Sequence, residues 1–219
     1  MKLGLSRVHF PVTTLGPGRR LGIWLQGCSI RCPGCISADT WRVAEQPVDV
    51  ADLVASIAPW LAQCDGVTVS GGEPFDQPQA LATLLGRIRQ LSSVDILAYS
   101  GHPYEKLQGF LAAWPGLIDA LISDPFEFHR PQTKRLRGSD NQRLHLLTER
   151  GRERFAGYDE QPAGPADRQL DVMLDDEGVV WLAGIPRRGD MQRLQDLLRA
   201  QGHFSITSEA PVAVCKTPR

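Results

Sequence analysis

The chain has 219 residues, 42% of them hydrophobic, and a formal net charge of −1. That is enough apolar material for one substantial core, and too balanced a charge to point to general nucleic-acid or anionic-membrane binding. No apolar run approaches the roughly 20 residues needed to cross a bilayer, and Met1 to Phe10 lacks the regions of a secretory signal, so a cytoplasmic protein is expected.

Leu21 to Gln26 is a short, mostly apolar segment that reads as a strand, and three cysteines follow it directly. Asp49 is a plausible start signal for a helix carrying Val50, Leu53, Val54, Ile57, Trp60 and Leu61 on one face. Gly66 to Ser70 reads as the next strand, with Gly71 to Pro74 after it. Asp76 introduces a second helical pattern, Leu81, Leu84, Leu85, Ile88 and Leu91. Val94 to Tyr99 is a strand followed by Ser100 and Gly101. Pro103 suits the first turn of a third helix through Leu107, Phe110, Leu111 and Trp114, stopped by Pro115 and Gly116. Leu117 to Ser123 and Leu144 to Thr148 are the remaining strands of this region, and all five read as buried parallel strands.

Strands alternating with helices require crossovers that keep neighbouring strands parallel. The expected class is α/β: a sheet or incomplete (partial) barrel of mostly parallel strands, with ligands at the strands' C-terminal ends. Residues 1–148 form the expected core domain. Residues 149–168 are polar and broken by Gly151, Gly157, Pro162, Gly164 and Pro165, and read as a linker or mobile excursion. Residues 169–219 read as a small recognition or capping module: a strand at Leu170 to Leu174, a turn at Asp175 to Gly178, a strand at Val179 to Ala183, and a helix carrying Met191, Leu194, Leu197 and Leu198.

Three of the five cysteines lie within eight residues, in GCSIRCPGC. That grouping suits a metal site in a reducing compartment better than a disulfide framework. Cys28, Cys32 and Cys35 are spaced CxxxCxxC, and Gly27, Pro33 and Gly34 permit a tight loop around a bulky inorganic cluster. A [4Fe-4S] cubane with three protein thiolates leaves one iron open to an exogenous chelate. The plainer alternative is a zinc loop completed by Cys64, Cys215, His9 or His102, although no second CxxC pair is present. Cys64 and Cys215 otherwise read as ordinary thiols, His102 and His145 as lone histidines, and Trp24 and Trp41 as packing residues beside the loop.

The CxxxCxxC spacing together with TVSGGEP at Thr68 to Pro74 resembles the radical S-adenosylmethionine superfamily. GPGRRLGIWLQGC, CPGC, ADTW, SGGEP, YSGHPYEKL, LISDPF and LRGSDNQR follow in order over roughly residues 15 to 148. That chain of motifs is similar to the anaerobic ribonucleotide reductase activating proteins, a branch of the glycyl-radical enzyme activating enzymes. The resemblance implies a [4Fe-4S] cluster on Cys28, Cys32 and Cys35 and reductive cleavage of S-adenosyl-L-methionine to a 5′-deoxyadenosyl radical. It also implies a flavodoxin- or ferredoxin-like electron donor and a glycyl-radical enzyme as partner. Gly71 and Gly72 would let backbone approach the methionine portion, and Glu73 would receive its ammonium group. The main chain around Gly34 and Ile36 would hold the adenine, or could simply shape the cluster loop. Ser100 can bond the ribose or carboxylate, or form a turn. Asp124 can accept ribose hydroxyls or initiate a turn before Pro125. Within a basic stretch whose default is a solvated loop, the resemblance makes Arg137 and Asn141 candidates for cofactor or partner contact. WLAGIPRRGDM has no role derivable from its residues, so two alternatives stay open: radical modification of a peptide or small molecule, and a non-catalytic iron–sulfur or zinc assembly subunit.

Overall fold

A computed structural model describes residues 1–174 and 179–209. The expected turn at Asp175 to Gly178 and Cys215 lie outside the described residues. The chain runs β1 (Lys2–Leu3), β2 (Leu5–Val12), β3 (Arg20–Leu25), β4 (Val48–Asp49), α1 (Val50–Leu61), β5 (Gly66–Gly71), α2 (Pro78–Leu91), β6 (Asp95–Tyr99), α3 (Tyr104–Ala113) and β7 (Ala120–Ser123). It continues through β8 (Arg143–Leu146), α4 (Glu149–Arg154), β9 (Leu170–Leu174), β10 (Val180–Gly184) and α5 (Asp190–Ala200).

The fold is mixed α/β. Six strands form one sheet in the order β2-β3-β5-β6-β7-β8. The four central strands are parallel, as the alternation of strand and helix predicts. The two outer strands are antiparallel to their neighbours. β8 corrects the expectation of a parallel strand: a parallel return needs a crossover, usually a helix, whereas residues 124–142 hold none, so the chain turns back along β7. β2 is absent from the sequence reading because Pro11 interrupts it, which an edge strand tolerates.

Period-two alternation sends the two faces of the sheet to different partners. Leu21, Ile23, Val67, Val69, Ile96 and Ala98 pack under α1, α2 and α3. Asp49 caps α1, its side chain accepting from Ala51 N. Leu97, Ala120 and Ile122 face the other way, onto Leu136 and Phe155. Trp24 and Val12 meet Ala183 and Met173 of the hairpin formed by β9 and β10. Asp171 anchors that hairpin by accepting from Thr13 N at 2.7 Å and Thr14 Oγ1 at 2.9 Å.

At the rim where the parallel strands begin, Arg20 and Asp95 pair at 2.8 Å with both side chains fully buried. Arg20 Nε also donates to Thr68 Oγ1 at 2.6 Å and Nη2 to Val67 O at 2.8 Å. One guanidinium therefore ties its own strand β3 to β5 and β6, and Phe155 lies against it, 5.6 Å from ring centroid to Cζ. Within residues 149–168, Phe155 is only 1% exposed. Phe155→Ala should cost about 3–5 kcal/mol, the usual range for emptying a buried aromatic site, read as a lowered urea midpoint. A loss below about 1 kcal/mol would show that this segment does not brace the sheet.

Candidate functional site

The loops after β3, β5, β6 and β7 converge at the opposite rim. After β3 the cysteine loop is closed by the segment that follows it: Gly27 N donates to Thr40 O at 2.8 Å and Cys28 N to Trp41 O at 3.2 Å. Gly27 and Gly34 take φ of +106° and +74°, the left-handed region that favours glycine. Cys28, Cys32 and Cys35 are free thiols, each partly exposed.

Burial pushes the Cys35 thiol up to about 11, opposed by hydrogen bonds from the Ser37 backbone and the Trp41 side chain and reinforced by Cys32 and Cys28. Cys32 is raised for the same first reason, opposed by a hydrogen bond from the Phe126 backbone and reinforced by Cys28. Among the described residues no three His, Cys, Asp or Glu side chains converge to hold a metal ion. A single zinc would draw its thiolates to about 2.3 Å from one centre, whereas a cubane distributes its ligands over separate irons. The donor set, three partly exposed thiols on one glycine-bent loop, fits the cluster better than the ion. Cys64 is buried in the core beneath the helices.

The SGGEP turn is bonded to the root of that loop. Gly72 N donates to Leu25 O and Glu73 N to Gly27 O, both at 2.8 Å. A Cβ on Gly71, whose φ is +102°, would stand 2.4 Å from Leu25 N, and one on Gly72 would stand 2.1 Å from Gly27 O. The two glycines are thus demanded by close approach of protein backbone. Glu73 is 1% exposed. Its Oε1 accepts from Phe75 N at 3.0 Å and Ser100 Oγ at 2.9 Å, and its Oε2 from Gly101 N at 2.8 Å. Burial raises its pKa, and these three donors work against that shift. Ser100, only 5% exposed, spends its hydroxyl on Glu73 and on His102 N.

Asp76 departs from its expected place as the cap of α2. Gln77 occupies the N-cap without a side-chain bond, and Pro78 opens the helix. The Asp76 carboxylate instead accepts from Ser29 N at 2.7 Å and Ser29 Oγ at 2.9 Å, holding the cysteine loop. It also meets His102 Nε2 at 3.3 Å, so this histidine belongs to the rim. An aspartate ahead of a helix reads as a cap from sequence, and nothing local marks a partner 47 positions away.

Asp124 follows β7 with φ of +81°, a left-handed conformation unusual for a non-glycine residue. Its carboxylate accepts from Arg143 Nε at 2.6 Å and Ser123 Oγ at 2.8 Å, and Ser123 Oγ meets His145 Nε2 at 2.9 Å. Asn141 Nδ2 donates to Pro125 O at 2.8 Å, while its Oδ1 is buried without a partner. Arg137 is fully buried and paired with Asp159 at 2.5 Å. Ile36 O accepts from Ser208 Oγ at 2.7 Å. An open hollow of about 500 Å³ beside the cysteine loop is lined by Gly27, Cys28, Ser29, Arg31 and Trp41.

Comparison with known proteins matches residues 14–145 to a family described as 4Fe-4S single cluster domain. The chain belongs to this family. Within it, the chain is similar to the anaerobic ribonucleoside-triphosphate reductase-activating protein of Enterobacteria phage T4, 28% identical over 61% of this chain and 88% of the relative. The protein of that name from Escherichia coli K12 is 28% identical over 64% of this chain and 96% of its own. The pyruvate formate-lyase-activating enzyme of Staphylococcus aureus USA300 is 39% identical over 41% of this chain and 38% of its own. The resemblance to radical S-adenosylmethionine activating proteins is borne out, and the chain is an enzyme of that kind. No helix among the described residues is long and apolar enough to cross a membrane.

Asp76→Ala should cost about 1–2 kcal/mol, since charge-assisted bonds are lost from a partly exposed group. Amide exchange at Ser29 should accelerate at the same time; unchanged exchange there would remove Asp76 as the clamp of the cysteine loop.

Proposed function

We propose that this protein reductively cleaves S-adenosylmethionine and uses the resulting radical to abstract a hydrogen atom from a glycine of a partner enzyme. The observation that carries the reading is the junction of the two motifs. The SGGEP turn is hydrogen-bonded through Gly72 and Glu73 to the base of the three-cysteine loop, and this contact supports reading the turn as one that would hold a cofactor beside an iron–sulfur centre. The relatives' names, activating proteins for a reductase and a lyase, support an enzyme as the hydrogen donor.

Cys28, Cys32 and Cys35 would hold the [4Fe-4S] cluster. A cluster held there would supply, on one-electron reduction by a flavodoxin- or ferredoxin-like donor, reductive cleavage of S-adenosylmethionine to a 5′-deoxyadenosyl radical. The chain's own residues orient the cofactor. Gly71 and Gly72 present backbone to its methionine portion. Glu73 has used three of its roughly four lone-pair sites on protein donors, leaving room for one bond from the ammonium group. The main chain around Gly34 and Ile36 takes the adenine, and the unpartnered Asn141 Oδ1 offers an acceptor. Ser100 and Asp124 act by shaping the rim, or exchange a present partner for the ligand. In this reading the open sheet is an incomplete barrel, and the protein works in the cytoplasm. Residues 169–219 lie beyond the family match and would serve recognition or capping.

Anaerobic reconstitution of the full chain should load one [4Fe-4S] cluster, and Cys28→Ala, Cys32→Ala and Cys35→Ala should each lose it while Cys64→Ala and Cys215→Ala keep it. With dithionite and S-adenosylmethionine the loaded protein should release 5′-deoxyadenosine, and a loaded protein that releases none would refute the cleavage. Glu73→Ala should weaken S-adenosylmethionine binding by about tenfold to a hundredfold with the cluster intact, because a charge-assisted hydrogen bond is worth roughly 1.5–3 kcal/mol.

A further inference from the structure

After α5 the chain returns to the cysteine loop. Ser205 O accepts from Gln195 Nε2 at 3.4 Å, a weak tie to the helix. At Ser208 two stronger bonds form across the molecule: Oγ donates to Ile36 O at 2.7 Å, and the Ser208 carbonyl accepts from Ala38 N at 3.1 Å. Ile36 and Ala38 directly follow the third cysteine of the cluster loop.

A carbonyl and an amide N–H two residues apart on one backbone edge form an acceptor–donor pair. The Watson–Crick edge of adenine is its complement, with an N6 amino donor beside an N1 acceptor. Ser208 offers that same complement, a hydroxyl donor and a carbonyl acceptor, and takes both backbone groups. Ser208 itself is exposed, and its two bonds are the ones that tie it to the cysteine loop among the described residues. Phe204 and Ile206 are 87% and 82% exposed, so release of the segment forfeits little apolar burial.

We propose that Ser208 is an internal occupant of the adenine-reading edge at Ile36 and Ala38, an autoinhibitory contact that S-adenosylmethionine displaces on binding. The inference rests on the preceding assignment of the adenine to the main chain around Gly34 and Ile36. An occupant of this kind lowers apparent affinity by the fraction of molecules in which the edge is free. Loosening the occupant raises that fraction.

The test compares S-adenosylmethionine binding to the full-length, cluster-loaded chain, Ser208→Ala and Ser208→Thr by equilibrium dialysis. Ser208→Ala removes one neutral hydrogen bond and should bind about two- to tenfold more tightly, while Ser208→Thr keeps the donor and should match the parent. Adding S-adenosylmethionine to the parent should speed amide exchange over residues 203–209 and leave the Ala38 amide protected. Equal or weaker binding by Ser208→Ala, or slower exchange of residues 203–209 with the ligand present, would overturn the autoinhibitory role and leave the cofactor reading standing. Absence of binding by the parent and both variants would overturn the cofactor reading and this inference together.

Discussion

The rim of this protein is organised around a carboxylate kept out of water. Burying Glu73 is costly unless donors surround it, and the donors come from its own turn and from the loop after β6. Meeting that requirement locks two neighbouring strand ends together. The backbone N–H of the same residue reaches Gly27 O at the base of the cysteine loop. Three loops thereby take fixed positions relative to one another, which is the preorganisation that the proposed cofactor site would need. Gly71 and Gly72 make it sterically possible, since a Cβ at either would collide with the chain around Leu25 and Gly27.

The other rim solves a comparable problem with the opposite charge. Arg20 buries its guanidinium among the starts of three parallel strands, paired with Asp95 and bonded to Thr68 and Val67. Breaking such a pair by removing one partner strands a charge in the interior, which is far more costly than the pair's net contribution to stability. The strand starts are pinned at the floor, and the cysteine and SGGEP motifs sit in loops at their far ends. Phe155, from a segment of polar composition, closes the floor over Arg20.

The C-terminal hairpin is joined to the cysteine side of the sheet by a stacked cation. Arg7 lies between the rings of Trp24 and Trp181, 5.5 and 4.7 Å from their centroids, and pairs with Asp39 at 2.5 Å. Asp39 belongs to the ADTW segment that closes the cluster loop. A residue of β2 thus touches both the hairpin and the turn behind the third cysteine. Trp24, read from sequence as packing, packs here between the sheet and the hairpin.

Local sequence determined the features that depend on neighbours along the chain. Period-3.6 apolar patterns marked α1, α2 and α3, short apolar runs marked the central strands, and the thiol spacing marked the loop where a cluster would sit. Only the tertiary structure decided which groups meet from afar. Asp76 reads as a cap and holds Ser29 instead, while His102 and Ser208 carry no local pattern that marks their rim partners. The direction of β8 followed from a connection without a helix, and β2 hid behind Pro11. Periodicity records which face of an element is buried; it says nothing of which distant side chain satisfies a buried donor or acceptor, because that pairing exists only once the strands have been brought side by side.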